Sequence, residues 1–165
     1  ARSWSARGGV DEAASLLRRV LEVDPEDFGA RRELAEVYVG AGRVDEALDA
    51  EIDLIRWHFE KGNRDKALEV ANRFENLAEQ RWERHKELYA LLLKEGLEGE
   101  VVSRVSILAE DAESSGEMEV ALEASLFGIE RDEYILRLRE IAARAYRESN
   151  REAAGTADAT GCRAR

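Results

Sequence analysis

The stretch GAGRVDEALD, Gly40 to Asp49, has counterparts elsewhere in the same chain. Similar phrases begin at Gly8 (GGVDEAASLL), Lys61 (KGNRDKALEV) and Ser115 (SGEMEVALEA). Each phrase places a glycine just before an acidic, alanine-containing segment. Glycine permits the left-handed backbone that ends many helices, and the residues that follow it here favour a new helix. The recurring phrase therefore predicts a tight turn between two packed helices.

The look-alikes belong to a longer repeat with a spacing of 54 residues. Five columns of residues recur at this spacing: Gly8, Gly62 and Gly116; Gly42, Gly96 and Asn150; Ala13, Ala67 and Ala121; Leu34, Leu88 and Ala142; Tyr38, Leu92 and Tyr146. Apolar residues follow one another at helical intervals throughout, and no segment alternates long enough to predict a strand. Each repeat predicts three helices, which gives 10–23, 27–41, 44–60, 64–78, 81–95, 99–115, 117–130, 133–148 and a ninth from about 151.

Within these repeats the residues resemble the tetratricopeptide repeat (TPR) family. The matching positions are Ala13, Leu17, Val20 and Pro25; Leu34, Ala35, Tyr38, Gly42 and Ala47; Leu108, Ala109, Ala112, Gly116 and Ala121; and Ala142, Ala143 and Tyr146. The resemblance covers most of residues 8–152. It implies an all-α fold, an antiparallel helical-hairpin solenoid forming a TPR-like right-handed superhelix of about eight or nine helices, over residues 1–152. The remaining tail, 153–165, is rich in Ala, Gly and Thr, which predicts flexibility.

The sequence departs from the family's repeat of about 34 residues. Helices 44–60 and 99–115 match the second-helix signature at one end and the first-helix signature at the other. Two arrangements follow from a period of three helices. Either all helices alternate in direction, or each third helix lies askew, as in armadillo-like repeats. We favour simple alternation, because short turns place successive helices antiparallel.

Charge and composition limit the class of protein. The formal net charge is -11, and residues 95–123 carry only Arg104 against nine acidic side chains. A nucleic-acid partner is not expected, since phosphate binding needs a basic face. The acidic block is either a solvated surface or a site for a basic peptide or protein. No apolar run is long enough for a membrane span, and the single cysteine, Cys162, favours a cytoplasmic location.

No pattern in the sequence indicates catalysis. His58 and His85 have no metal-ligand spacing around them, and GAG at 40–42 follows a helix rather than the strand that a phosphate loop requires. We therefore expect no enzyme activity, no metal site and no cofactor.

The resemblance implies a concave groove for a partner peptide. The family's groove positions correspond to Arg32, Glu36 and Val39, to Lys86, Ala90 and Leu93, and to Glu140, Arg144 and Arg147. The family's clamp for chaperone carboxylates has Lys and Asn where this chain has Arg32 and Glu36, so that clamp is not expected. Trp57 lies on the polar side of its helix and Trp82 opens another, so each either packs inside the protein or contacts a partner.

The predicted function is a non-catalytic protein–protein interaction module, an adaptor or scaffold. Two alternatives stay open: a structural subunit of a larger assembly, and a regulatory TPR fragment of a longer protein.

Overall fold

A computed structural model describes residues 7–133 and 135–161, with side chains over residues 9–133 and 135–151. These residues form eight helices joined by turns, and they contain no strand. The predicted all-α fold is confirmed. The helices are α1 (Arg7–Val23), α2 (Phe28–Gly40), α3 (Val44–Glu60), α4 (Arg64–Ala78), α5 (Trp82–Lys94), α6 (Glu98–Ser115), α7 (Met118–Ile129) and α8 (Leu136–Gly161).

The prediction of a separate ninth helix is wrong. Helix α8 continues without a break through Asn150 to Gly161, because Asn150 keeps helical backbone and Ala153 and Ala154 favour a helix. It thus includes part of the tail predicted to be flexible, and that flexibility stays a prediction. Residues 162–165 lie outside the described part of the chain.

Four of the turns close with the same hydrogen bonds around a left-handed glycine. At Gly62, with φ of 71°, the backbone N–H of Asn63 donates to the carbonyl of His58 at 2.8 Å, and the N–H of Gly62 donates to Phe59 at 2.9 Å. This is the Schellman motif. Asn63 is also the N-cap of α4, so one residue ends one helix and begins the next. The same motif occurs at Gly42, Gly96 and Gly116.

The two outermost members of the glycine columns behave differently. Gly8 lies inside α1 and Asn150 inside α8, both with helical backbone. Among the described residues, the glycine columns therefore form turns at Gly42, Gly62, Gly96 and Gly116 and lie within helices at Gly8 and Asn150.

The described residues divide into two compact units after Glu79. In the first unit each helix packs on the next. Arg73 of α4 and Glu51 of α3 lie eleven residues on either side of Gly62 and form an ion pair at 2.9 Å. Such symmetric pairing about a turn requires antiparallel helices, so α3 and α4 form a hairpin.

In the second unit, every second helix runs parallel and lies in the same layer. Glu110 and Glu113 of α6 pair with Arg137 and Arg144 of α8, in the same order along both helices, so α6 and α8 run parallel. Trp82 of α5 packs against α7 instead. Helices α6 and α8 therefore form one layer, and α5 and α7 form the other.

Burial explains why the columns differ in their members. Ala67 and Ala121 are fully buried, where neighbouring helices approach closely. Tyr38 and Leu92 are buried too, whereas Tyr146 of α8 is 60% exposed. No described helix follows α8 to cover Tyr146. None of the helices in the described ranges is long and apolar enough to cross a membrane.

A close helix approach at Gly128 predicts a measurable strain on substitution. A Cβ added to Gly128 of α7 would overlap Cδ1 of the fully buried Leu138 and lie 3.0 Å from Cγ1 of Val105. We expect Gly128→Ala to lower the free energy of unfolding by about 1 kcal/mol, because overpacking outweighs the gain in helix propensity. Gly99→Ala is the matched control: its Cβ would meet no atom within 4 Å, so this change should stabilise by up to about 1 kcal/mol. Urea denaturation of both variants measures the difference, and equal stabilisation would contradict the close contact.

Candidate functional site

The first unit has a groove between α2 and α4, with α3 as its floor. Two cavities lie along it, of about 530 and 370 Å³. Arg73 lines both, so the cavities adjoin. We call the smaller one the His58 cavity; its lining residues are Phe28, Arg32, Leu54, His58, Lys66, Glu69, Val70 and Arg73. We call the larger one the Leu77 cavity; its lining residues are Glu36, Val39, Gly40, Glu51, Arg73, Asn76 and Leu77.

The groove contains one of the three predicted sets of residues. Arg32, Glu36 and Val39 all line it and are all exposed. Nε of Arg32 pairs with Oε1 of Glu36 at 3.2 Å. Both groups are more than half exposed, so this pair contributes little to stability.

The opposite wall, on α4, was not predicted from the sequence. It consists of Lys66, Glu69, Arg73 and Asn76, which are exposed at helical intervals. The spacing of 54 residues pairs α2 with α5, whereas alternation of layers places α4 across from α2. The polar stripe of α4 was the available signal, because its members share one face of the helix.

One carboxylate in the floor is buried. The Glu51 side chain is 6% exposed, and its Oε2 accepts a hydrogen bond from Nη2 of Arg73 at 2.9 Å. Burial raises the pKa of Glu51, and the hydrogen bond and charge of Arg73 offset part of that rise. Arg73 therefore offsets part of the cost of placing a carboxylate where burial disfavours its charge.

His58 is the second buried polar group of the groove. It is 3% exposed, and its ring lies 5.4 Å from that of Phe28 and 5.2 Å from that of Trp57, between centroids. Its Nδ1 is buried with no hydrogen-bond partner among the described residues. Burial lowers the pKa of His58, and the positive charges of Lys66 and Arg73 lower it further.

Trp57 packs inside the protein for most of its surface. Its ring stacks on Phe28 with centroids 5.3 Å apart, and the ammonium of Lys61 lies 5.9 Å from its centroid. Lys61 also pairs with Glu26 of the turn before α2; both groups are exposed, so this pair contributes little to stability. Of the two alternatives for Trp57, packing is the main one observed.

In the second unit, Trp82 is buried against Phe127 and Tyr89. Packing is therefore the alternative observed for this tryptophan. Lys86 lies over the Trp82 ring, Ala90 is exposed and Leu93 is half-buried. All four predicted positions, Trp82 included, belong to α5.

The third predicted set lies on α8. Arg144 pairs with Glu113 of α6, Glu140 is exposed near Arg137, and Arg147 donates to the carbonyl of Ala143 at 2.9 Å. Because α5 and α8 belong to different layers, the second unit does not bring its six predicted positions together into one groove.

Part of the first unit is similar in sequence to a known family of repeats. The tetratricopeptide repeat model matches residues 6–50, which span α1, α2 and the first part of α3. Residues 6–50 are similar to tetratricopeptide repeats. The resemblance stated from the sequence is confirmed over this TPR-like segment, whose second helix supplies one wall of the groove.

No curated protein matches this sequence. Among solved structures, the crystal structure of a thermophilic TPR protein of Thermus thermophilus is 21% identical, covering 84% of this chain and 91% of that one, with a TM-score of 0.27. A score this low carries no argument about how the helices are arranged, so the handedness of the superhelix stays a prediction.

The Glu51–Arg73 pair predicts a pH-dependent mutational effect. In Arg73→Ala, Glu51 would stay buried without its cation, which we expect to cost about 1–3 kcal/mol near neutral pH. A carboxyl whose pKa is raised in the folded state makes the fold less stable as pH rises. The stability lost in Arg73→Ala should therefore shrink as pH falls and Glu51 is protonated. Denaturation at about pH 7.5 and about pH 4.5 measures this. Arg56→Ala is the control: it removes an exposed pair with Asp53 and should cost under about 0.5 kcal/mol at both pH values. A stability loss in Arg73→Ala that does not change with pH would contradict the role assigned to the Glu51–Arg73 pair.

The packing of Trp57 predicts a loss of stability on truncation. Trp57→Ala removes the stacked ring on Phe28, and we expect unfolding to become easier by about 2 kcal/mol or more. Trp57→Phe keeps the stacking and should cost less. Thermal melts of the two variants distinguish them, and a Trp57→Ala melt that matches the unmutated protein would mean that the ring contributes nothing to the fold.

Proposed function

We propose that this protein is a non-catalytic interaction module whose α2–α4 groove binds an extended segment of a partner protein. One observation carries the proposal: two adjoining cavities lie along a single groove, between walls of exposed charged residues. The similarity of residues 6–50 to tetratricopeptide repeats supports a protein partner in general.

The groove has the mixture that a peptide site needs. Val39 and Leu77 offer apolar contact in one cavity, and Phe28 and Leu54 offer it in the other. Apolar contacts supply most of the affinity of such a site, while charged groups on the walls fix register and exclude wrong partners. Cavities of this size accept side chains, with the backbone of the bound segment passing over Arg73.

We propose further that the module acts without a cofactor or a metal ion, does not bind nucleic acid, and works in the cytoplasm. The acidic block at 95–123, most of whose carboxylates are exposed, would by itself attract a basic stretch of a partner. Such complementarity mainly raises the rate of association.

A second function is favoured by one surface of α1. Leu16, Val20 and Val23 are 55%, 41% and 88% exposed and follow one another at helical spacing. A stripe of this kind is typical of a helix that packs on a neighbour. It supports the alternative of a structural subunit; the alternative of a regulatory fragment of a longer protein also stays open.

Selection from a random displayed peptide library tests the groove. We expect the intact chain to enrich a family of peptides, and the variant Val39→Arg/Asn76→Arg to lose them, since both residues are exposed on opposite walls. Leu16→Arg/Val20→Arg is the matched control on α1 and should keep the same peptides. Failure to enrich any peptide, or equal enrichment by the Val39→Arg/Asn76→Arg variant, would refute binding in this groove.

Light scattering on the same proteins tests the alternative. A dimer or larger oligomer that the α1 variant dissociates would support the structural subunit. A monomer in every case favours the interaction module.

A further inference from the structure

Glu51 is a buried carboxylate with one oxygen still available to a ligand. Its side chain is 6% exposed, and Oε2 accepts the hydrogen bond from Nη2 of Arg73. The other oxygen, Oε1, accepts no hydrogen bond from the described residues, and it is not among the side-chain atoms that are both enclosed and without a partner. Of the two cavities, Glu51 lines only the Leu77 cavity. Oε1 can therefore accept a hydrogen bond from a group that enters this cavity.

The charges that line the Leu77 cavity are predominantly negative. They are the carboxylates of Glu36 and Glu51 and the guanidinium of Arg73. Burial raises the pKa of Glu51, Arg73 lowers it, and the charge of Glu36 raises it again, so the two carboxylates lie close enough to repel each other. Arg32 pairs with Oε1 of Glu36 but lines the other cavity. A cation between the two carboxylates would relieve their repulsion.

The end of α2 adds to this negative potential. Val39 and Gly40, which belong to its last turn, line the cavity, and the C-terminus of a helix carries a partial negative charge. The last turn of α2 contains no basic residue. The carbonyl of Gly40 accepts no hydrogen bond from the described residues. The end of α2 therefore favours a cation at this cavity.

We propose that the Leu77 cavity binds the basic side chain of a lysine or an arginine in the partner segment, between the carboxylates of Glu36 and Glu51. The proposal rests on the interaction function above and names the ligand of one of its two cavities. The charged end of the bound side chain donates to these carboxylates, and its methylene groups contact Val39 and Leu77. The cavity, of about 530 Å³, has room for either side chain.

The other cavity disfavours the same side chain. The His58 cavity is lined by the cations of Arg32, Lys66 and Arg73 and by one carboxylate, that of Glu69. A basic side chain placed there would meet mainly like charges. The two cavities therefore differ in the sign of their charge along one groove, which fixes the register in which a segment with a basic residue binds.

The test uses the peptides that the library selection enriches, synthesised with acetylated N-termini and amidated C-termini. We expect a recurrent Lys or Arg in them. Replacing that residue by methionine keeps an unbranched apolar side chain and removes the charge. The replacement should weaken binding to the unmutated protein by at least about tenfold, as measured by calorimetry.

Variants of the protein assign this loss to the cavity through a double-mutant cycle. In Glu36→Gln/Glu51→Gln, the same change in the peptide should cost less than about threefold, because the carboxylates that bind the charge are absent. Asp53→Asn/Glu60→Gln is the matched control: it removes two exposed carboxylates of α3 that do not line the groove and should keep the full loss. Glu36→Gln alone, at an exposed position, should show an intermediate loss, and it covers the case in which replacing the buried Glu51 prevents folding.

Each contrary result has a separate meaning. No enriched peptide at all would refute the interaction function itself. Peptides that are lost in Val39→Arg/Asn76→Arg but carry no basic residue would overturn this inference and leave that function standing. Peptides that bind only with a free N-terminus would identify a terminal amine and overturn the assignment to a side chain. A loss that is equally large in Glu36→Gln/Glu51→Gln would place the basic residue elsewhere, for instance at the acidic block 95–123, and overturn the assignment to the Leu77 cavity.

Contacts in the unmutated complex provide a second measurement. NMR should show nuclear Overhauser effects between the methylene protons of the bound basic side chain and the methyl groups of Val39 and Leu77. Effects to the protons of Phe28 or Leu54 instead would place that side chain in the His58 cavity and overturn the proposal.

Discussion

The fold depends on one backbone hydrogen bond that recurs at four glycines. In each case the residue after the glycine donates to a carbonyl in the last turn of the preceding helix, and the glycine takes a left-handed conformation that other residues adopt only at a cost. The chain therefore reverses at a fixed point, and the next helix starts at once. Every second helix then runs in the same direction, so α2 and α4 lie on either side of α3. The groove is a direct result of these reversals.

Much of this could be predicted from the sequence because it is local. A glycine before an acidic, alanine-rich segment states where one helix ends and the next begins, and most helix bounds follow from that alone. Alanine at positions such as Ala67 and Ala121 likewise indicates helix contacts, and both side chains are fully buried. Helix α8 was harder, because Asn150 occupies a turn position of the repeat but keeps helical backbone, and α8 continues to Gly161.

The candidate site was harder to predict for a different reason. The sequence repeats every three helices, whereas within each unit the layers repeat every two. A groove position transferred by sequence phase from α2 therefore arrives on α5, and the true opposite wall, with Lys66 and Arg73, goes unnoticed. The position of His58 could not be predicted either, because nothing in the neighbouring sequence distinguishes a histidine beside a cavity from one in an ordinary core. Its place beside a cavity depends on residues of α2, α3 and α4 together.

The shared residue at each turn also limits how the chain can change in length. When the C-terminal residue of one motif is the N-cap of the next helix, as Asn63 is, no slack remains between them. A single inserted residue would rotate the following helix by about 100° about its axis and turn its apolar face away from its neighbour. Substitutions on the exposed walls of the groove carry no such penalty. Divergence in a chain of this kind is thus expected to alter the chemistry of its grooves freely while the lengths of its turns stay constant.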